Sequence, residues 1–439
     1  MPPAIFSGKW QLNPAKKLLS ALSFSVFLVL DFLDTILCLV YRFIDEFFEG
    51  QSSMCYCRNR EEKQRSGMED GDGEDEDEDE DESELSETLY GRKNVFREMG
   101  FLGFSGKLEN SKKRESGEMG SRWSDCGCGS CISWMTNGDH KLHCCIREPS
   151  HETLKETNEK PAENVIFLHG FLSSSSLWTE TVFPNQSESV KCKYRLFAID
   201  LLGFGRSPKP RDCFYTLKNH LEMIEKSVIS PLHLDSFHLV AHSMGCIIAI
   251  ALAAKHPKSV KSIILVAPPV FPSKFGGLRV LEKLAERRLW PPLLFGSAVM
   301  SWYEHIGRSV CLLLCRNHRA WEKILKLVSR RTSLHFMTMD LTRHTHHSAW
   351  HSMHNVICGG TKLMESCFKI LTKARAKICV IQGDEDQVVP VECSDNVKTM
   401  APNAEVYIIR GANHSTIILG REREFTIYLE HIWASLADS

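Results

Sequence analysis

Between Phe237 and Ala253 the chain reads F-H-L-V-A-H-S-M-G-C-I-I-A-I-A-L-A. The apolar run Phe237 to Ala241 predicts a buried strand, and the small apolar residues after Gly245 predict a helix. Ser243 stands between them. So sharp a strand-to-helix turn crowds its own backbone, so tiny residues are needed two positions either side of the apex. Gly245 supplies one, and Ala241 takes the place of the first glycine of a G-x-S-x-G pattern. Such a turn lifts the serine hydroxyl off the sheet and sets it near a helix N-terminus, where developing negative charge is favoured. An S-x-G sequence also suits a plain turn before a helix. The rest of the chain decides between the two.

At 439 residues the chain has room for one or two domains and a large core. Hydrophobic residues make up 43% and charged residues 25%, an ordinary globular balance. A net charge of −2 leaves no basic excess to displace counterions, so nucleic acid is not an expected partner. The charge is uneven, with an almost wholly acidic run from Glu69 to Glu84 that repels itself. Seventeen cysteines lean towards a secretory route, although an odd number cannot all pair with each other.

Lys9, Lys16 and Lys17 precede an uncharged apolar stretch from Leu18 to Leu30, the layout of an n-region and an h-region. The apolar character resumes to Val40, but Asp31 and Asp34 interrupt it, each costing roughly 2.5–3.5 kcal/mol at a bilayer centre. A signal peptide, a signal anchor, a membrane-surface helix and a helix packed on the protein itself all stay open. Cys55 and Cys57, just beyond, are candidates for a lipid. The leading lysines favour a translocated C-terminal part, and Asn185-Gln186-Ser187 then offers a glycosylation acceptor. Asn413-His414-Ser415 also fits the sequon, but is expected to be too enclosed. Residues 58–122 lack periodicity and read as an acidic, disordered linker between a signal or anchor segment (1–57) and a folded domain (123–439). Asn137-Gly138, flanked by Ile132 to Thr136 and Lys141 to Arg147, predicts a hairpin opening that domain. Cys126, Cys128 and Cys131 are closely spaced, but no second pair follows at finger spacing, so disulfides or structural thiols are expected there rather than zinc.

Strands are expected at Val165 to Leu168, Arg195 to Ile199, Ile263 to Val266, Ile378 to Gln382 and Glu405 to Ile409, with helices between them. Strand–helix alternation predicts a parallel sheet with ligands beyond the carboxyl ends of the strands. Each motif falls at such an end. His169-Gly170-Phe171 follows the first strand; the glycine lets the chain turn back over Ser243, so that the Phe171 and Met244 amides form an oxyanion hole. Asp200 reads as a loop organiser. From Pro269 to about Arg375 the rhythm lapses, and amphipathic stretches predict an inserted helical cap, about 270–375. His344, His346, His347, His351 and His354 cluster there, with no carboxylate to complete a metalloprotease pattern. No metal and no cofactor are expected. Three acids, Asp384, Glu385 and Asp386, follow the Ile378 strand, and G-x-x-D-x-x-x-P favours Asp386. His414 stands in a glycine-bearing loop after the last strand. The order Ser243, Asp386, His414 is that of an α/β-hydrolase, an α/β fold with a mostly parallel sheet and helices on both faces.

From Trp123 onward the chain resembles the plant BODYGUARD family of lysophospholipase-type α/β-hydrolases. The resemblance rests on Trp123-Ser124-Asp125-Cys126, H-G-F-L-S-S-S from His169, Asp200 to Pro210, V-A-H-S-M-G-C from Val240, Trp302-Tyr303-Glu304-His305, His344-Thr345-His346, and Pro390-Val391-Glu392-Cys393-Ser394. It implies a lipid-ester substrate, a lipid anchor at Cys55 and Cys57, and a role in building cutin and suberin layers at the epidermal cell wall. Water as acceptor would give hydrolysis, and a hydroxy-fatty acid would give polyester synthesis. A triad-bearing receptor with little turnover is the rival reading.

Overall fold

The computed structural model describes residues 14–50, 56, 85–90, 93–99, 122–135, 141–149, 163–272, 280–281, 289 and 292–437. Cys55, Cys57 and the Asn137-Gly138 turn lie outside them.

Seven strands form one sheet: β1 (Cys144–Arg147), β2 (Glu163–Leu168), β3 (Tyr194–Ile199), β4 (Phe237–His242), β5 (Val260–Val266), β6 (Lys377–Gly383) and β7 (Glu405–Ile409). Their order is β1-β3-β2-β4-β5-β6-β7, with β1 antiparallel to β3 and every other pair parallel. Leu168 lies beside both Ile199 and Ala241, so three central strands end flush. The chain reverses its direction of travel across the sheet after β3, and the loops leaving β2 and β4 flank that switch point. The inner strands are apolar on both faces because helices cover both. Ile263, Ile264, Leu265, Val266 and Val240 are fully buried.

The expected hairpin does not form. Residues Gly129–Met135 are a short helix, α2, and Cys144–Arg147 pairs with β3 as an edge strand. A local turn signal carries nothing about a distant competitor: an extended segment gains a full ladder from a sheet edge, and here β3 provides one. Between β5 and β6 the described residues hold helices and no strand. The longer ones are α5 (Pro292–Trp302), α6 (Glu304–Leu314), α7 (His318–Ser329) and α9 (Met364–Lys373), with the short α8 (His346–His351) between the last two.

The chain divides into two compact units. The larger, 54–92, 110–281 and 308–439, contains the whole sheet. The smaller contains 1–53, 93–109 and 282–307. Its principal element is α1 (Pro14–Glu49), a continuous 36-residue helix. The stretch Leu18–Glu49 is long and apolar enough to cross a membrane. Asp31 and Asp34 do not break it, because both are satisfied inside this unit. Tyr303 donates its hydroxyl to Asp31 Oδ1 at 2.9 Å, and Arg97 and the His305 amide donate to Asp34 at 2.6 and 2.9 Å. A buried carboxylate paired in this way avoids most of the penalty that an isolated charge carries.

Candidate active site

After α3 (Leu217–Ile224) and β4 comes α4, which runs Met244–Lys255 and buries every residue from Met244 to Ala253. Ser243 caps it with φ 51° and ψ −122°, a left-handed conformation costly for any residue with a Cβ. The surroundings impose it. A Cβ on Gly245 would stand 2.6 Å from the His169 carbonyl oxygen and 2.9 Å from that of Leu168. A Cβ on Gly170 would stand 2.9 Å from His242 Nδ1 and 3.1 Å from Ser243 Cβ. The two turns are in contact, and glycine is what lets them approach.

The structure brings Ser243, His414 and Asp386 into a line. His414 Nε2 is 3.0 Å from Ser243 Oγ, and His414 Nδ1 is 2.8 Å from Asp386 Oδ2. With Nδ1–H donating to the carboxylate, Nε2 is left free to accept the serine proton. The Val388 and Val389 amides donate to Asp386 Oδ1 at 2.9 and 2.8 Å. Burial works to raise the Asp386 carboxyl, but His414 and these amides outweigh it and hold the group below the ordinary carboxylate range. Of the three acids, only Asp386 is buried and meets His414. Asp384 is exposed and instead accepts from the Gly411 amide at 2.7 Å, and Glu385 is exposed.

His169 is fully buried and fixes the neighbouring loop. Its Nδ1 donates to the Gly170 carbonyl at 2.7 Å, and its Nε2 accepts from the Leu201 amide at 2.9 Å. Phe171 follows Gly170 in that loop and packs edge-on against Phe204, and Met244 is the first residue of its helix, where amides lack intrahelical partners. Asp200 binds the Ser175 and Arg206 amides at 2.6 and 2.8 Å, tying two loops together.

Two contributors carry no signal in the sequence. His242 Nε2 donates to the His414 carbonyl at 3.1 Å, and burial, then His414, hold its ring neutral with a pKa of about 3. Gln382 donates to Val389 O at 2.9 Å and to Asp386 at 3.3 Å, steadying the acid's loop. Both are ordinary strand residues until the loops close around them.

One other expectation changes. Asn413 is exposed, since its Oδ1 accepts from the Ser415 and Thr416 amides and holds the side chain at the loop surface. Asn185 is half-buried, its Nδ2 donating to Thr181 O at 2.6 Å. Cys126, Cys128 and Cys131 are free thiols, so of the two readings for them, disulfides or structural thiols, the second holds. Those thiols meet His318, 187 residues beyond Cys131 and invisible to a search at finger spacing. His351 and His354 are core groups and His347 is half-buried: His347 Nε2 meets Cys213 O at 2.9 Å, His351 meets the Tyr56 hydroxyl at 3.2 Å, and His354 meets the Thr88 hydroxyl at 2.8 Å.

Residues 163–420 match the alpha/beta hydrolase fold family. Over nearly the whole chain, the sequence is 53% identical to the Arabidopsis thaliana protein named "Probable lysophospholipase BODYGUARD 4", covering 95% of this chain and 97% of the relative. It is 50% identical to "Probable lysophospholipase BODYGUARD 5" of the same plant, with 94% of each chain covered. A third relative, BODYGUARD 1, is 40% identical over 93% of this chain and 94% of its own. The seven-stranded sheet with its helices and these matches together make this chain a member of the BODYGUARD family of α/β-hydrolases.

Proposed function

We propose that this hydrolase cleaves lipid esters through an acyl-enzyme on Ser243. The observation that supports it most is the continuous Ser243–His414–Asp386 hydrogen-bonded line at 3.0 and 2.8 Å. His414 takes the Ser243 proton as Oγ attacks the ester carbonyl, then gives it to the departing alcohol. Asp386 holds the Nδ1–H tautomer and stabilises the imidazolium. The Phe171 and Met244 amides receive the oxyanion; a single such donor is worth about 2.7–4 kcal/mol. Water then releases the acid, or a hydroxy-fatty acid takes the acyl group and extends a cutin or suberin polyester.

A lipid substrate agrees with the surface of α7, where Trp321, Ile324, Leu325, Leu327 and Val328 are exposed. The apolar helix α1 serves as signal or membrane anchor, with Cys55 and Cys57 as lipid sites, and carries the enzyme along the secretory route to the cell wall. Residues 1–57 and 123–439 are then anchor and hydrolase, the cap lying at about 270–375, and the segment 58–122 between them is folded in part, since Leu89 is buried and Arg97 pairs with Asp34. The test is a fluorophosphonate probe on the full chain. Labelling is expected on Ser243 and absent in Ser243→Ala; equal labelling in that variant removes Ser243 as nucleophile.

A further inference from the structure

Three thiols and an imidazole converge within the larger unit, at residues the hydrolytic chemistry does not use. Cys126, Cys128 and Cys131 flank the start of α2, and His318 opens α7. Their Sγ and Nε2 atoms all lie within 4.8 Å of one another. Cys128 Sγ and Cys131 Sγ each stand 3.4 Å from His318 Nε2. An imidazole nitrogen has one lone pair or one proton, so a hydrogen bond accounts for one of those thiols and not both. A zinc ion accounts for both. It holds thiolate sulfur at about 2.3 Å and imidazole nitrogen at about 2.0–2.1 Å, which at tetrahedral angles sets sulfur and nitrogen roughly 3.5 Å apart.

The local structure asks for such a tie. α2 has seven residues and buries none of them, and a helix that short does not persist by itself. α7 also buries no residue. Nothing apolar in either helix explains why the two meet.

A second set stands beside the first. Cys311 and Cys315, one helical turn apart, each lie 3.6 Å from His344 Nε2, and these three ligand atoms also lie within 4.8 Å of one another. Cys126, Asp125 and His346 line the same small cavity.

We propose that Cys126, Cys128, Cys131 and His318 form a closed tetrahedral zinc site, and that Cys311, Cys315 and His344 hold a second zinc ion next to it. Each cysteine gives its proton to solvent as the thiolate binds, and no electron moves. Four protein ligands leave the first ion no open position, so its role is structural. It fastens residues 122–135 to the turn between α6 and α7. Thiolate-rich sets select zinc over magnesium or calcium.

The test is zinc content of the full chain, purified without chelator and measured by inductively coupled plasma mass spectrometry. Two equivalents are expected, with one lost in His318→Ala, one in His344→Ala, and both in the double variant. Whichever single variant leaves the parent's content unchanged overturns its own site. A parent without zinc, its cysteines mapped into disulfides, overturns both. Fluorophosphonate labelling of Ser243 reports whether each variant still folds. X-ray absorption on the unaltered protein covers the case where it does not: a sulfur-rich shell at about 2.3 Å is expected, and an all-oxygen or nitrogen shell overturns the proposal.

Discussion

The helix behind Ser243 and the helices near Cys126 are held by opposite means. α4 buries ten of its residues, Met244 to Ala253, between strands β4 and β5 and its helical neighbours. α2 and α7 bury none, and their contacts run through thiols, imidazoles and a guanidinium, such as Arg319 donating to Ser130 at 3.0 Å. In the first region apolar area removed from water supplies the stability, at roughly 25 cal/mol per Å2, and a strained serine is tolerated because everything around it is locked. In the second, a few directional contacts decide the arrangement. A reactive site needs the first kind of support, since a displacement of about 1 Å can cost on the order of 100-fold in rate.

The contrast is broken most sharply at its reactive end. Ser243→Ala is expected to lower kcat with an acyl ester on the order of 10⁴–10⁶-fold while the melting temperature stays near the parent's, because alanine keeps the Cβ and the backbone conformation and only Oγ is lost. A turnover number within tenfold of the parent would detach this site from the chemistry. Next, Asp386→Asn is expected to cost about 10⁴-fold in kcat by losing the charge that fixes the His414 tautomer, with Asp384→Asn near parental. A reversed order of these two variants in steady-state assays would move the acid two residues.

The third prediction compares the two regions directly. Ile250→Ala in α4 is expected to destabilise by about 2–5 kcal/mol, as its side chain is wholly buried. Ile324→Ala in α7, where the residue is 46% exposed, is expected to change stability by about 0.5 kcal/mol or less. Urea unfolding of both variants checks it, and equal losses would mean α7 is covered by something apolar.

The smallest effect concerns pH. His220 is fully buried, both ring nitrogens lack a hydrogen-bond partner, and burial holds its pKa at about 3. Its folded pKa lies below the unfolded value of about 6.5, so the unfolded chain binds the extra proton between the two. Stability is therefore present above about pH 6.5 and declines as pH falls towards 3. His220→Leu, which leaves no polar atom unpaired, is expected to flatten that decline and to change stability little at pH 8. A parallel pH profile in the variant would assign the decline elsewhere, with His242 and His347, also held at about 3, as the next groups to replace.

Much of the fold and of the candidate site was legible in the residues themselves. Strand β7 runs Glu405–Ile409 as read, and the other parallel strands differ by a residue or a few, because buried β-runs are short, apolar and bounded by turn residues. The strand-to-helix turn at Ser243 was legible for a steric reason: Gly245 must be tiny where it meets the His169 carbonyl. What local patterning determined was therefore the parallel sheet, its turns and the chemistry carried at the strand ends. Tertiary structure alone decided the rest. It turned the segment at Ile132 into a helix and gave Cys144–Arg147 to the edge of β3, since an open sheet edge outcompetes a local turn. It gave Asp31 and Asp34 partners from residues more than sixty positions away. It set His242 against His414 and brought His318 to Cys128 across 190 residues. Spacing along a chain reports contacts within a turn or a strand. Which distant side chains share one point depends on how the helices pack, and no local signal encodes that.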